Sequence, residues 1–144
     1  MTLLLDVNVL IALMDPAHPD HNAADTWFAA LQNPSWATCP ITENAVLRIL
    51  GTPSYRNSPG PPAVVAGLLN KACHLPGHVF WDDSISLLDD ARVHTVQLQT
   101  PGQVTDLYLL ALARSYGGQL ATFDRRIRPE AVEGGREALL FIPT

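Results

Sequence analysis

The chain has 144 residues, 47% of them hydrophobic and 16% charged, with a formal net charge of −5 at pH 7. That length and balance describe one domain spanning residues 1–144 with a real core, and they exclude a disordered chain. No apolar run reaches the roughly 18 residues of a membrane span, and the apolar N-terminus lacks the basic flank of a secretory signal, so a soluble, cytoplasmic protein with no membrane role is expected.

Leu3 to Leu5 reads as a short central strand, because a continuous aliphatic run buried on both faces is what a parallel sheet demands. Asp6 lies at its C-terminal end. Asn8 has the chemistry of an N-cap for a helix over Val9 to Met14, which Asp15-Pro16 stops. A second helix, about Asn22 to Leu31, carries Ala24, Trp27, Phe28 and Leu31 at helical spacing, and Ser35 to Cys39 is a second strand. Thr42-Glu43 opens a third helix that runs to Leu50 and ends at Gly51-Thr52-Pro53. The Pro- and Gly-rich stretch Pro53 to Pro62 is expected to be a mobile excursion, and Pro61-Pro62 suits the first turn of a fourth helix reaching about Cys73. Val79 to Trp81 is a third strand, after which Asp82-Asp83-Ser84 is expected to cap a short helix. Thr105-Asp106 starts an amphipathic helix that Gly117-Gly118 closes, Gln119 to Phe123 is a fourth strand ending at Asp124, and Leu139 to Ile142 is a last one. Strands alternating with helices predict an α/β class domain, three layers around a short central parallel sheet.

On that map four acids share one kind of position: Asp6 and Asp124 just past strand ends, Glu43 and Asp106 in the first turns of helices. Strand C-termini and helix N-termini face the same edge of an open parallel sheet, the edge where ligands bind. Gathered carboxylates repel and raise one another's pKa, a conflict that a hard divalent cation removes. Oxygen-only donors favour Mg²⁺, with Mn²⁺ as a substitute, over zinc. Cys39 and Cys73 are too few and too distant for a disulfide framework and read as buried thiols. The acidic net charge argues against a general binder of phosphate backbones, although an average cannot register a local acidic site that a cation neutralises.

The stretches LLLDVNVLIAL around Asp6, PITENAVLRIL around Glu43, QVTDLYLLALA around Asp106 and LATFDRRI around Asp124 resemble the PIN-domain ribonucleases, and more closely the VapC toxins of bacterial toxin-antitoxin systems. The resemblance implies a three-layer α/β/α PIN-like fold and an acidic quartet of Asp6, Glu43, Asp106 and Asp124 that binds metal and catalyses hydrolysis, with Asn8 and Thr122 as supporting polar positions. It further implies RNA as substrate and a small VapB-type antitoxin as partner, while helical faces left over after building the core lead to the expectation of a homodimer. Arg48, Arg125, Arg126 and Arg128 are candidate RNA contacts, set against a plain solvated basic turn for the last three. His18 and His21 lack a third metal ligand and read as surface; Asp82, Asp83, Asp89 and Asp90 read as capping or solvated acids.

Three rivals compete with a toxin nuclease. A haloacid-dehalogenase-like phosphatase also places an Asp after its first parallel strand, but it wants a second acid two residues on, where this chain has Asn8. A housekeeping PIN nuclease and a catalytically silent PIN-like binding module differ only in regulation or in metal-dependent cleavage.

Overall fold

The computed structural model describes every residue from Met1 to Thr144. Five short strands, β1 (Leu3–Leu5), β2 (Trp36–Thr38), β3 (His78–Phe80), β4 (Gln119–Thr122) and β5 (Leu139–Phe141), form one all-parallel sheet in the order β3-β2-β1-β4-β5. Helices α1 (Val7–Met14) and α2 (His21–Ala30) connect β1 to β2, α3 (Pro40–Leu50) and α4 (Pro62–Cys73) connect β2 to β3, and α5 (Val104–Ser115) leads into β4. No helix is long and apolar enough to cross a membrane.

Side chains alternate along each strand, so consecutive leucines of β1 serve opposite layers. Leu4, Ala37 and Leu120 face α5, which covers them with Leu107, Leu110 and their neighbours. Leu3, Leu5, Trp36 and Ala121 face α1, α3 and α4, which supply Val9, Val46, Leu50, Val65 and Leu69. Each fully buried aliphatic side chain contributes about 1.5–3 kcal/mol, which is how strands of three or four residues hold a sheet together. The change of covering layer follows from right-handed crossovers: the chain moves outward from β1 to β3, then returns past β1 to add β4 and β5 on the other side. β1 and β4 thus meet where the direction of winding reverses, and the crevice beyond their carboxyl ends is the natural ligand position of such a sheet.

Several local features depart from the sequence-based expectations. Asp6, not Asn8, is the N-cap of α1: its backbone is extended and its carboxylate accepts a 2.7 Å hydrogen bond from the Val7 amide. α3 begins three residues before Glu43, because Pro40 is pre-set for a first helical position and the Thr42 side chain closes back on the Cys39 amide. No helix follows Asp82-Asp83-Ser84. Ile85 and Leu87 reach the core at alternate positions while Leu88 is left exposed, a period that suits an extended path.

The stretch from Pro53 to Pro62 is tied down rather than free. Buried Asp15 accepts hydrogen bonds from the Tyr55 hydroxyl (2.5 Å), the Asn57 amide (3.3 Å) and the Ala17 backbone (3.0 Å), and Ser58 donates to the Leu50 carbonyl. Burial opposes the charge on Asp15, but these donors outweigh it and hold its pKa below the ordinary value, while Tyr55 is pushed up to about 12 by burial and by Asp15 itself. A depressed carboxylate pKa stabilises the fold above the unfolded pKa, and that stability is lost as pH falls through the folded one. Asp15→Ala is therefore expected to lower stability in urea by about 2–3 kcal/mol at neutral pH and Tyr55→Phe by about 1 kcal/mol, with the gap between wild type and Asp15→Ala closing below the carboxylate range.

Candidate active site

The end of β1, the end of β4 and the start of α5 converge on one crevice. Asp6 is almost wholly buried, at 4% exposure, and its second oxygen accepts a 2.7 Å hydrogen bond from the Thr122 hydroxyl. That hydroxyl accepts in turn from the Asn8 amide nitrogen at 3.2 Å and from the Asp124 backbone at 3.0 Å. With both acceptor positions of Thr122 taken, its single proton is committed to Asp6. Asn8 completes the tie by accepting from the Phe123 amide at 3.2 Å. Asn8 and Thr122 thus stitch the β1 turn to the β4 turn and aim Asp6 and Asp124 from neighbouring strands.

Burial dominates the electrostatics of the cleft, and neighbouring carboxylates add to it. Burial pushes Asp6 above the usual carboxylate range, against the hydrogen bonds from Thr122 and Val7, and the charge of Asp124 adds to the rise. Asp106 is pushed up to about 6, first by burial and then by Asp6 and Asp124. Asp124 moves the other way because Arg126 grips it at 3.0 and 3.2 Å and also donates its backbone N–H at 2.9 Å. The guanidinium is a built-in cation on one side of an otherwise anionic cleft. An all-oxygen set of three repelling carboxylates, one of them already paired with a positive group, fits a hard divalent ion.

Glu43 is not brought to this group. α3 turns about 100° per residue, so Ala45, Arg48 and Ile49 share the face that looks onto Asp6 and Asp106, whereas Glu43, Asn44 and Leu47 line a separate cavity against α4. There Glu43 accepts a 2.6 Å hydrogen bond from Thr38, and its charge acts on Cys73 and His78. The sequence-based quartet therefore divides between two cavities, the three aspartates lining the cleft and Glu43 lining the space against α4. Cys73, expected to be a buried thiol, is half-buried beside that glutamate.

Of the four arginines, Arg48 lines a cavity of about 510 Å³ with Asp6, Asn8 and Asp106. Arg126 and Arg128 line an adjoining one of about 380 Å³ with Asp106 and Asp124. Asp106 belongs to both, so the two form one cleft with the trio at its centre. Arg125 turns away: it donates to the Ile142 carbonyl at 3.1 Å and lies over the Phe141 ring. His18 and Tyr55 also reach the cleft, as does Gln103. His18 reads from sequence as surface, and the one signal for Tyr55 is an aromatic residue within a proline-rich loop.

The PIN domain family model matches residues 3–130, most of the chain. Among curated relatives, Ribonuclease VapC44 of Mycobacterium tuberculosis is 43% identical over 134 residues, covering 93% of this chain and 94% of its own length. Ribonuclease VapC39 of the same species is 41% identical over 139 residues, covering 96% and 100%. Two solved structures share the fold at low identity. One is VapC20 of Mycobacterium tuberculosis, described as a toxin that cleaves the sarcin-ricin loop, with a TM-score of 0.61 at 13% identity over 86% of this chain and 91% of that one. The other is VapBC2 of Rickettsia felis bound to a DNA fragment of its promoter, with a TM-score of 0.60 at 14% identity over 98% and 97%. A matching family model over most of the sequence, with relatives above 40% identity along nearly its full length, establishes that the chain belongs to the PIN-domain family of VapC ribonucleases.

Proposed function

We propose that the chain is a Mg²⁺-dependent endoribonuclease, the toxin of a VapBC-type pair, hydrolysing RNA phosphodiester bonds in the cleft between β1, β4 and α5. The observation that carries this reading is the convergence of Asp6, Asp106 and Asp124 on one crevice at the winding reversal of the sheet, a crowding of carboxylates that a divalent ion relieves. RNA as substrate and the toxin role are supported by relatives named as VapC ribonucleases, and a small antitoxin partner by the VapBC2 complex. A homodimer, drawn from helical faces not used in the core, belongs to the same proposal.

Asp6, Asp106 and Asp124 would hold the ion, with Mn²⁺ able to replace Mg²⁺. Bound there, the ion would supply Lewis acidity toward water and toward the phosphoryl oxygens. The remaining work falls to side chains. Thr122, by giving its proton to Asp6, keeps that carboxylate fixed and favours its charged form. Asp106, half-buried with an elevated pKa, accepts a proton readily when the cleft lacks a cation. Arg48 at one end and Arg126 and Arg128 at the other are spaced along the cleft to hold successive backbone phosphates. Arg126 must release at least part of its grip on Asp124 to do so, and phosphate offers it an equivalent partner. An arginine from an antitoxin would compete for the same carboxylates.

Cleavage of a 5′-labelled structured RNA by the purified protein tests this reading. Asp6→Asn and Asp106→Asn are each expected to lower the rate at least a hundredfold with a native circular dichroism spectrum, and EDTA to abolish it; full activity in either variant, or in EDTA, overturns the assignment.

The pH dependence has a definite sign. The folded pKa of Asp106 is raised from 3.8 to about 6, so its contribution to stability is intact below the lower value and is lost as pH rises through the upper one. Without metal, wild type is expected to lose thermal stability across that interval, whereas Asp106→Asn does not and melts higher above it. Activity is expected to rise over the same interval, and added Mg²⁺ to move the rise toward lower pH because ion and proton compete for one carboxylate; an acid limb insensitive to Mg²⁺ assigns the titration to another group.

A further inference from the structure

Away from the aspartate cleft, three chemically different donors converge. Glu43 in the first turn of α3, Cys73 at the last residue of α4 and His78 at the first residue of β3 present a carboxylate oxygen, a thiol sulfur and a ring nitrogen within 4.8 Å of one another. The aspartates of the cleft do not close to that spacing. We propose that Glu43, Cys73 and His78 form a second metal site, for Zn²⁺, separate from the aspartate trio and of opposite chemical character.

The donor set is the first reason. Thiolate and imidazole are borderline-to-soft ligands that select zinc, while hard Mg²⁺ prefers the all-oxygen cleft. Ligand bonds of about 2.0–2.3 Å in a tetrahedral zinc shell put donors about 3.3–3.8 Å apart, so small side-chain rotations from the observed arrangement close the site. The second reason is convergence imposed from behind. The buried Thr38 hydroxyl donates to Glu43 at 2.6 Å and lies 2.8 Å from His78 Nε2, so one fixed group on β2 draws the carboxylate and the imidazole to the same point. The Trp36 ring packs edge-on against the imidazole at 4.7 Å and limits its swing. The third reason is access. Glu43 and Cys73 are in the wall of a cavity of about 520 Å³ between α3 and α4, which gives an ion a way in and leaves room for water as a fourth ligand.

Occupancy would clamp the start of α3 to the end of α4 and the start of β3. The opposite face of α3 carries Arg48 into the aspartate cleft, so the clamp fixes the helix that presents it.

Cobalt substitution tests the site on the full-length chain, because a cysteine thiolate bound to Co²⁺ gives a near-ultraviolet charge-transfer band that carboxylate sites do not. The expected result is such a band saturating at one equivalent of Co²⁺, removed by equimolar Zn²⁺ but not by excess Mg²⁺. It should be absent in Cys73→Ser, weakened at least tenfold in apparent affinity in His78→Gln, and retained in Asp6→Asn and Cys39→Ser. Zn²⁺ should also raise the melting temperature of wild type and of Asp6→Asn but not of His78→Gln, a readout that survives even if Cys73→Ser folds poorly. No thiolate band in wild type, or a band that persists in Cys73→Ser or disappears in Cys39→Ser, overturns the proposal.

Discussion

The hydrogen bond from Thr122 to Asp6 is the constraint around which the cleft is organised. It joins the ends of the two strands that meet at the winding reversal, across 116 positions of sequence. A carboxylate at 4% exposure is costly to charge without compensation, and this bond together with the Val7 amide supplies that compensation on both oxygens. The same hydroxyl receives Asn8 and the Asp124 backbone, so the orientation of one acid fixes the turn that carries the next. Asp106 then arrives on α5, whose almost wholly apolar packing leaves little freedom to withdraw from its neighbours. The strain among the acids is thus held by the core rather than by the cleft.

Arg126 shows how the chain lives with that strain. Its guanidinium is almost fully solvated, so its pairing with Asp124 is weak in the way exposed pairs are weak. A tight internal cation would compete with any ion the cleft binds; a loose one lowers the repulsion and yields. The neighbouring Arg125, by contrast, is committed to the Ile142 carbonyl and the Phe141 ring and serves the packing of β5. Adjacent residues of the same type have been put to unlike uses because a turn sends successive side chains in opposite directions.

Much of this was legible in the sequence. The triple leucine of β1 and the apolar heart of α5 announce burial on every side, and Asp6, Asp106 and Asp124 stand where strand ends and helix starts must share an edge. Glu43 stands in the first turn of α3, as the sequence suggests, but on a different face from the α3 residues that line the cleft. Helical geometry alone offered a warning: Glu43 and Arg48, both assigned to the cleft, are five residues apart and so about 140° apart around α3. The Pro53–Pro62 stretch looked loose by composition because what restrains it is a carboxylate some forty positions earlier, Asp15, a pairing no local pattern reveals. The segment from Val93 to Gly102 yields least to reading for the same reason: its anchor is the Val93 bridge to Val132, made across the fold.

The strand order carries a consequence for how the molecule comes into being. β1 is the first strand synthesised and lies at the centre of the sheet, yet its neighbour β4 begins only at Gln119. A chain growing on the ribosome can pair β1 with β2 and β3 early, but one side of the central strand stays open until nearly the whole sequence has emerged. Asp6 has no Thr122 to orient it and no Asp124 beside it during that period. A polypeptide arrested before that point carries the first acid of the cleft without the cleft, so the aspartate site is assembled only when synthesis is nearly complete.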